Sequence, residues 1–310
     1  MLKGKTVVLG VTGSIAAYKI ANLARMLVKQ HCEVHVLMTQ NATNFINPIT
    51  FETLTKHKCL IDTFDRNFEF SVEHVALAKA ADVVMIAPAS ANVIGKIANG
   101  IADDMLTTTV MACPCKKIVS PAMNHNMFHN PIVQDNIEKL KHYGYEIVEP
   151  AHGMLANGDM GDGRMPDEEL LFEYIVKEIA FEKDMTGKKV LVTAGATVEA
   201  IVRFITNHSS GKMGFALAKN AMLRGADVTL VMGKCDSEPP VFVNTVKVQS
   251  AKDMYDAVIE RADSMDIIVK AAAVADYRPK NVSSEKVKKQ DGNMSIELER
   301  TDDILKTLGE

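Results

Sequence analysis

Apolar and β-branched residues along this chain gather into short continuous runs rather than alternating with polar ones. Thr6–Thr12 (TVVLGVT) is the first such run, of strand length, and Ala16, Ile20, Leu23 and Leu27 follow it at the helical interval. Together they predict a βα unit. Glu33–Thr39, Val83–Ala89, Lys117–Met123 and Tyr145–Pro150 repeat the run, separated by segments long enough for crossover helices. Strands with no polar face are buried on both sides, which predicts a parallel sheet. A second start comes at Thr186–Thr197 (TGKKVLVTAGAT), which echoes Lys3–Ser14 (KGKTVVLGVTGS) in its Gly-Lys entry and its strand-to-glycine exit. Asp227–Gly233 and Asp266–Asp276 carry the pattern on. The expectation is an α/β protein of two three-layer domains, residues 1–184 and 185–310, joined by a short connector. The second is expected to be C-terminally incomplete, because TDDILKTLGE falls short of an ordinary α/β domain.

Composition narrows the class. A chain of 310 residues with 47% hydrophobic and 24% charged residues has the balance of a globular protein, and no apolar run approaches the roughly 20 residues of a membrane span. The N-terminus passes from two lysines straight into a β-branched run, without the apolar core and cleavage site of a secretory signal, so a cytoplasmic location is expected. Cys32, Cys59, Cys113, Cys115 and Cys235 are scattered and odd in number, which fits reduced, buried thiols rather than a disulfide framework. A net charge of -4 argues against a nucleic-acid surface.

Chemistry in an open α/β sheet is expected where strand ends meet helix N-termini. GVTGSIAAYK places Gly13 and Ser14 at such a turn, where backbone N–H groups and the helix dipole could hold a phosphate. Its spacing is neither GxGxxG nor a Walker loop, so ordinary turn and cap chemistry reads equally well. Thr39 would lie on the same sheet edge, and PASAN, with Ser90 and Asn92, suits the polar edge of a flat cofactor. His74 opens a segment whose Leu77, Ala78 and Ala81 would face a helix core, where a histidine is more often a surface or satisfied residue than a catalyst. In PAMNHNMFHNP, His125 and His129 have the i, i+4 spacing of a zinc helix, with Cys113 and Cys115 upstream. Zinc is disfavoured there: the HExxH glutamate is missing, CPC is not a CxxC knuckle, and the second proline and the asparagines indicate an extended loop. MLANGDMGDGRMPD (Met154–Asp167) could be a metal loop, a phosphate cradle, a linker or a lid.

GVTGSIAAYK, HVALAKAAD, APASANVIGKIANGIADDMLTTT and PAMNHNMFHNP occur in an order that resembles the flavin-dependent cysteine decarboxylases. VRFITNHSSGKMGFALA and AAAVADYRPKNVSSEKVKK then resemble the CTP-dependent phosphopantothenate–cysteine ligase fused to them in coenzyme A synthesis. The resemblance covers nearly the whole chain and implies flavodoxin/Rossmann-like domains. It implies FMN in the first domain, with 4'-phosphopantothenoylcysteine as substrate: flavin chemistry creates the electron sink that decarboxylation needs and returns the electrons to the enethiol. It assigns His74 as acid/base or orienting group, Asn124 to the substrate carboxylate beside Met123, and Gly13, Ser14, Thr39, Ser90 and Asn92 to FMN. The glycine-rich segment then reads as the substrate-covering flap, closing over the site and excluding water. Where the family's flap has a cysteine thought to supply the final proton, this chain has Asn157, and an amide has no proton to give near neutral pH.

For the second half, the resemblance implies activation of phosphopantothenate by CTP with Mg2+, then amide formation with cysteine. It places Asn207 and Arg203 on the activated carboxylate and phosphate, Ser209, Ser210 and Gly211 at a hydroxyl-rich helix start, Asp276 near the nucleotide and Lys286 on the developing charge. EAIVRF lacks the Asp-Pro pair of the family's EAIDPVRF, which puts ligation in question. The resemblance further implies homo-oligomers built on trimers of the flavin domain. Other readings are a peptide-cysteine decarboxylase, a prenylated-flavin synthase, and an FMN-binding regulatory protein with impaired catalysis. A nicotinamide dehydrogenase lacks its GxGxxG loop.

Overall fold

Thr6–Val11 forms strand β1, and every residue after Thr6 is buried. The amphipathic segment behind it is helix α1 (Ala17–Lys29), which buries Ile20, Leu23 and Leu27. In this computed structural model, which describes residues 2–63, 73–156, 158–200, 204–281 and 295–310, the chain divides into two units, Met1–Ala180 and Phe181–Glu310.

The first unit continues with β2 (Glu33–Met38), α2 (Pro48–Thr55), α3 (Glu73–Ala80), β3 (Val83–Ala89), α4 (Ala91–Ala98), α5 (Met105–Ala112), β4 (Lys116–Pro121), α6 (His125–Phe128), α7 (Pro131–His142), β5 (Glu146–Ile147), β6 (Ala151–Met154), β7 (Met160–Arg164) and α8 (Glu168–Ile179). Five strands form a parallel sheet in the order β2-β1-β3-β4-β5. Helices α3, α4, α5 and α7 share one apolar cluster with Val8, Leu37, Val84, Ile86 and Val119. Helices α1, α2 and α8 pack together, with α8 against β3 and β4, and complete the three layers. Strand order reverses between β1 and β3, the crevice where open α/β sheets bind ligands. The fully buried Thr12 ties that crevice together: its hydroxyl donates to Pro88 O (2.7 Å) and accepts from Ser90 N (2.9 Å).

Two expectations for this unit are corrected. The segment after Met123 is not extended: Asn124 accepts from Asn126 N and starts the single turn α6, and Asn130 with Pro131 at the first turn starts α7. The expected strand over Tyr145–Pro150 shrinks to Glu146–Ile147 at the sheet edge, and the chain turns next into the antiparallel hairpin β6–β7. That hairpin contains most of the glycine-rich segment.

The second unit holds β8 (Lys189–Ala194), β9 (Val198–Ala200), β10 (Phe204–Thr206), α9 (Lys212–Leu223), β11 (Asp227–Met232), β12 (Asn244–Lys247), α10 (Ala251–Ala262), β13 (Ile267–Lys270), β14 (Tyr277–Pro279), β15 (Leu298–Arg300) and α11 (Ile304–Gly309). Its main sheet is parallel, in the order β12-β11-β8-β13, so its reversal lies between β8 and β13. Leu191, Val231, Met254, Val258 and Ile304 form its core cluster. The expected strand over Asp266–Asp276 ends at Lys270, because Thr193 Oγ accepts from Ala271 N and Ala272 N and draws the chain off the sheet. All five cysteines are free, and no helix among the described residues is long and apolar enough to cross a membrane.

Candidate active sites

A cleft of about 550 Å³ opens at the carboxyl edge of the first sheet. The turn into α1 (Ser14–Lys19) forms one wall, Ala122, Met123 and Asn124 after β4 form a second, and hairpin residues including Met154, Leu155 and Met165 form a third. Helix α1 begins without a side-chain cap; Ala16 N, Ala17 N and Lys19 N donate to Ser14 Oγ (3.4 Å), Ser14 O (3.0 Å) and Ala16 O (3.1 Å), so Tyr18 N and the Ser14 hydroxyl are the donors this turn can offer an anion. The preceding loop is drawn in tightly: a Cβ on Gly13 would stand 2.8 Å from Asn41 Cβ. The donors left at the turn into α1, apolar methionine and leucine walls and one exposed amide, Asn124, suit a flat cofactor carrying a phosphate. FMN fits this donor set.

The hairpin is seated directly on the Asn124 loop. Met123 N donates to Gly163 O (3.0 Å), and Gly163 has φ +116°, with a position for Cβ only 2.3 Å from Met123 O. At Gly161 a Cβ would lie 2.7 Å from His125 Nδ1. The two glycines are therefore required by close approach of backbone and ring. Between them Asp162 N donates to His125 Nδ1 (3.1 Å), while the Asp162 carboxylate meets His129 Nε2 and His152 Nδ1, each at 2.9 Å. Hydrogen bonds from His152 first and His129 second hold that carboxyl below the usual carboxylate range. Where β7 leads into α8, Asp167 pairs with Lys19 (3.1 Å) and Arg164 (3.3 Å), linking the hairpin's exit to α1. Lys19 is the main cause of the lowered Asp167 pKa.

In the second unit a cleft of about 690 Å³ is lined by Val274–Tyr277, by Lys270 and by Arg300–Lys306. Lys270, Arg300 and Lys306 face it together with Asp276, Asp302 and Asp303. Cations for phosphates and carboxylates for a hard divalent ion fit a nucleoside triphosphate with Mg2+. Asn207 lies next to it, its amide donating to Val274 O (3.4 Å) and Ala273 O (3.5 Å). Ser209 Oγ accepts from Gly211 N just ahead of α9. Gly211 and Gly195 both have positive φ, and a Cβ on either would stand 2.5 Å from Cys235 Sγ, so packing accounts for both.

Residues 1–180 match the family described as Flavoprotein, and residues 185–310 match the DNA/pantothenate metabolism flavoprotein C-terminal domain. The coenzyme A biosynthesis bifunctional protein CoaBC of Bacillus subtilis (strain 168) is 46% identical over 315 residues, spanning 100% of this chain and 78% of the relative. The chain belongs to the CoaBC family. Its counterpart from Vibrio vulnificus (strain YJ016) is 45% identical over 308 residues, covering 98% of this chain and 77% of that one. Among solved structures, MrsD from Bacillus sp. HIL-Y85/54728 aligns with 57% of this chain and 97% of its own at a TM-score of 0.50 and 30% identity.

Against that CoaBC framework, the residues singled out from sequence divide. Ser14, Met123 and Asn124 line the first cleft. Gly13 directly precedes it. The hydroxyls of Thr39 and Ser90 are engaged as caps, accepting from Ala42 N and Val93 N, and Asn92 is exposed in the first turn of α4. His74 is the second residue of α3, in the helical layer of α4, α5 and α7, and is not among the residues lining the cleft of its own chain. Asp276 lines the second cleft and Asn207 borders it, whereas Ser209, Ser210 and Gly211 do not line it. Asn157, Arg203 and Lys286 lie outside the described residues. Sequence reasoning missed Thr12, Lys19 and Asp162. The pairing of Gly161 and Gly163 at i, i+2 was the available signal for Asp162, since it marks one strand face with no side chains.

Proposed function

We propose that the first unit carries out FMN-dependent decarboxylation of 4'-phosphopantothenoylcysteine on the route to 4'-phosphopantetheine. We propose that the second joins 4'-phosphopantothenate to cysteine with CTP and Mg2+. The observation that carries the first reading is the meeting, in one cleft, of an uncapped helix start, the Asn124 amide and a hairpin seated over them. Bound FMN would supply the two-electron chemistry without which a cysteine carboxylate cannot leave as CO2.

The chain's own residues then have definite tasks. Tyr18 N at the start of α1 and the Ser14 hydroxyl beside it bind the phosphate end of the cofactor. The Asn124 amide donates to the substrate carboxylate and holds it without adding a positive charge that would oppose loss of CO2. Met154, Leu155 and Met165 keep water from the reacting centre when the hairpin is closed. The final reduction needs a proton, and Asn157 carries none to give. Decarboxylation is therefore retained and the last step slowed. His74 does not line the cleft of its own chain, so a role for it in the site is read as coming from a second copy, in a homo-oligomer built on trimers of the flavin unit. Ile15 and Tyr18, 55% and 60% exposed at the cleft's edge, are suited to being covered by that copy.

In the second unit a carboxylate must be activated before an amine can attack it. Its oxygen displaces pyrophosphate from CTP, and the cysteine amine then displaces CMP. Lys270, Arg300 and Lys306 offset the phosphate charge, Asp276 helps place the nucleotide, and Asn207 holds the acyl group. Arg203 and Lys286 are assigned to the same chemistry from sequence, and Mg2+ would offset the phosphate charge there.

Asn124→Ala tests the first reading. The flavin-loaded variant should retain its flavin and its fold while CO2 release from 4'-phosphopantothenoylcysteine falls at least about 100-fold, the scale of a lost positioning contact. Turnover equal to that of the unmodified protein would remove Asn124 from the site.

A further inference from the structure

Beside the cleft, groups of metal-ligating type converge from two separate elements. His125 and His129 stand one helical turn apart on α6 and its C-cap, and Asp162 comes from β7. One ligand atom from each of the three lies within 4.8 Å of the others. The two imidazoles meet edge to face with centroids 4.4 Å apart. His152 on β6 adds a fourth nitrogen, 2.9 Å from Asp162 Oδ1. Two or three imidazoles with one carboxylate form the mixed N/O set that zinc and its first-row neighbours favour.

We propose that His125, His129 and Asp162 bind one divalent transition ion of the zinc class, with His152 or water as fourth ligand, and that the ion clamps hairpin β6–β7 to the loop bearing Asn124. The approach of the two elements is already made, because Gly161 places no side chain between β7 and the His125 ring. Little ordering therefore remains when the ion arrives. Ligation exchanges existing bonds for new ones. The Asp162 carboxylate, now shared between His129 and His152, turns an oxygen to the ion. His125 gives up the bond it accepts from Asp162 N: ligation through Nδ1 uses that lone pair, and ligation through Nε2 moves the ring proton to Nδ1. His129 is 49% and Asp162 36% exposed in their side chains, so an ion can enter without unfolding the unit.

The test uses the full-length, flavin-loaded protein dialysed against chelator-buffered Zn2+, with bound zinc counted by elemental mass spectrometry. His129→Ala and Asp162→Asn are compared with the unmodified chain and with Cys115→Ser, which checks for capture by thiols. Far-ultraviolet circular dichroism verifies that each variant is folded. One zinc per chain is expected, with affinity reduced in both ligand variants by more than the roughly 10–100-fold typical of losing an outer-shell partner, and unchanged in Cys115→Ser. Zinc should also slow amide exchange at residues 160–164 in the unmodified protein and not in His129→Ala. Absence of stoichiometric zinc, undiminished binding in His129→Ala, or loss of binding in Cys115→Ser would each overturn the site. The measurement reads metal and exchange, so its outcome is separate from that of the decarboxylase reading.

Discussion

Gly163→Ala is the most incisive perturbation of the hairpin. The added methyl would lie 2.3 Å from Met123 O, a backbone atom that cannot swing aside, and φ +116° is a conformation that L side chains rarely adopt. Backbone strain of this kind is of order 1–3 kcal/mol. Relief of the clash lifts β7 from the Asn124 loop and gives up the Met123 N to Gly163 O hydrogen bond, worth about 1 kcal/mol. Because that bond is given up whenever the hairpin opens, the strain alone sets the shift: about 1–3 kcal/mol against the seated hairpin, roughly 5- to 150-fold in its opening equilibrium. Hydrogen exchange at residues 160–164 should accelerate accordingly, and kcat for CO2 release should fall, while the thermal midpoint of the first unit moves little because the main sheet is untouched. Gly158→Ala is the control: its φ is +88°, but no atom lies within 4 Å of the new methyl, so it carries strain without the clash. If Gly163→Ala exchanges and turns over like the unmodified protein, the close seating of the hairpin does not govern the site.

Three further outcomes are expected. Thr12→Val keeps the shape of a fully buried side chain and removes the hydroxyl that joins Pro88 O to Ser90 N, so thermal or denaturant unfolding should show a loss of about 1–3 kcal/mol. Cys115 is the thiol whose pKa is lowered, by the Cys113 hydrogen bond first and with help from Lys117, whereas burial raises Cys59 to about 12 and Cys32 to about 11. Iodoacetamide should accordingly label Cys115 first as pH is raised from neutrality, as read by peptide mass spectrometry, and prior labelling of Cys32 or Cys59 would contradict the assignment. Lys19→Met removes the partner of Asp167, so the Asp167 carboxyl should titrate closer to the ordinary carboxylate range by NMR; an unchanged titration would mean that Lys19 is not its main partner.

The strands of the main sheets were legible because burial on both faces leaves no polar alternation to confuse the pattern: Thr6–Val11, Glu33–Met38 and Val83–Ala89 lie where their apolar runs do. The hairpin β6–β7 was not, because its glycines answer to a neighbouring loop rather than to a core, and a local period cannot report a distant partner. The turn at His125–Phe128 was readable in principle: asparagines at 124 and 130 with proline at 131 are helix-start signals, and weighing them as loop residues missed it. Asn124 was reached through its motif and does line the cleft, while the hydroxyls of Thr39 and Ser90 accept cap hydrogen bonds and keep their O–H groups as donors. His74 shows the remaining limit: its motif points to the flavin site, yet it lies on α3 and is not among the residues lining the cleft.

The most direct measurement is the product mass after flavin-loaded protein is incubated with 4'-phosphopantothenoylcysteine, beside an Asn157→Cys variant. Loss of CO2 is expected from both, with the unmodified protein accumulating a species two hydrogens short of 4'-phosphopantetheine and Asn157→Cys carrying it through to 4'-phosphopantetheine. If neither releases CO2, the first unit is not a decarboxylase and the cleft beside Asn124 serves binding alone.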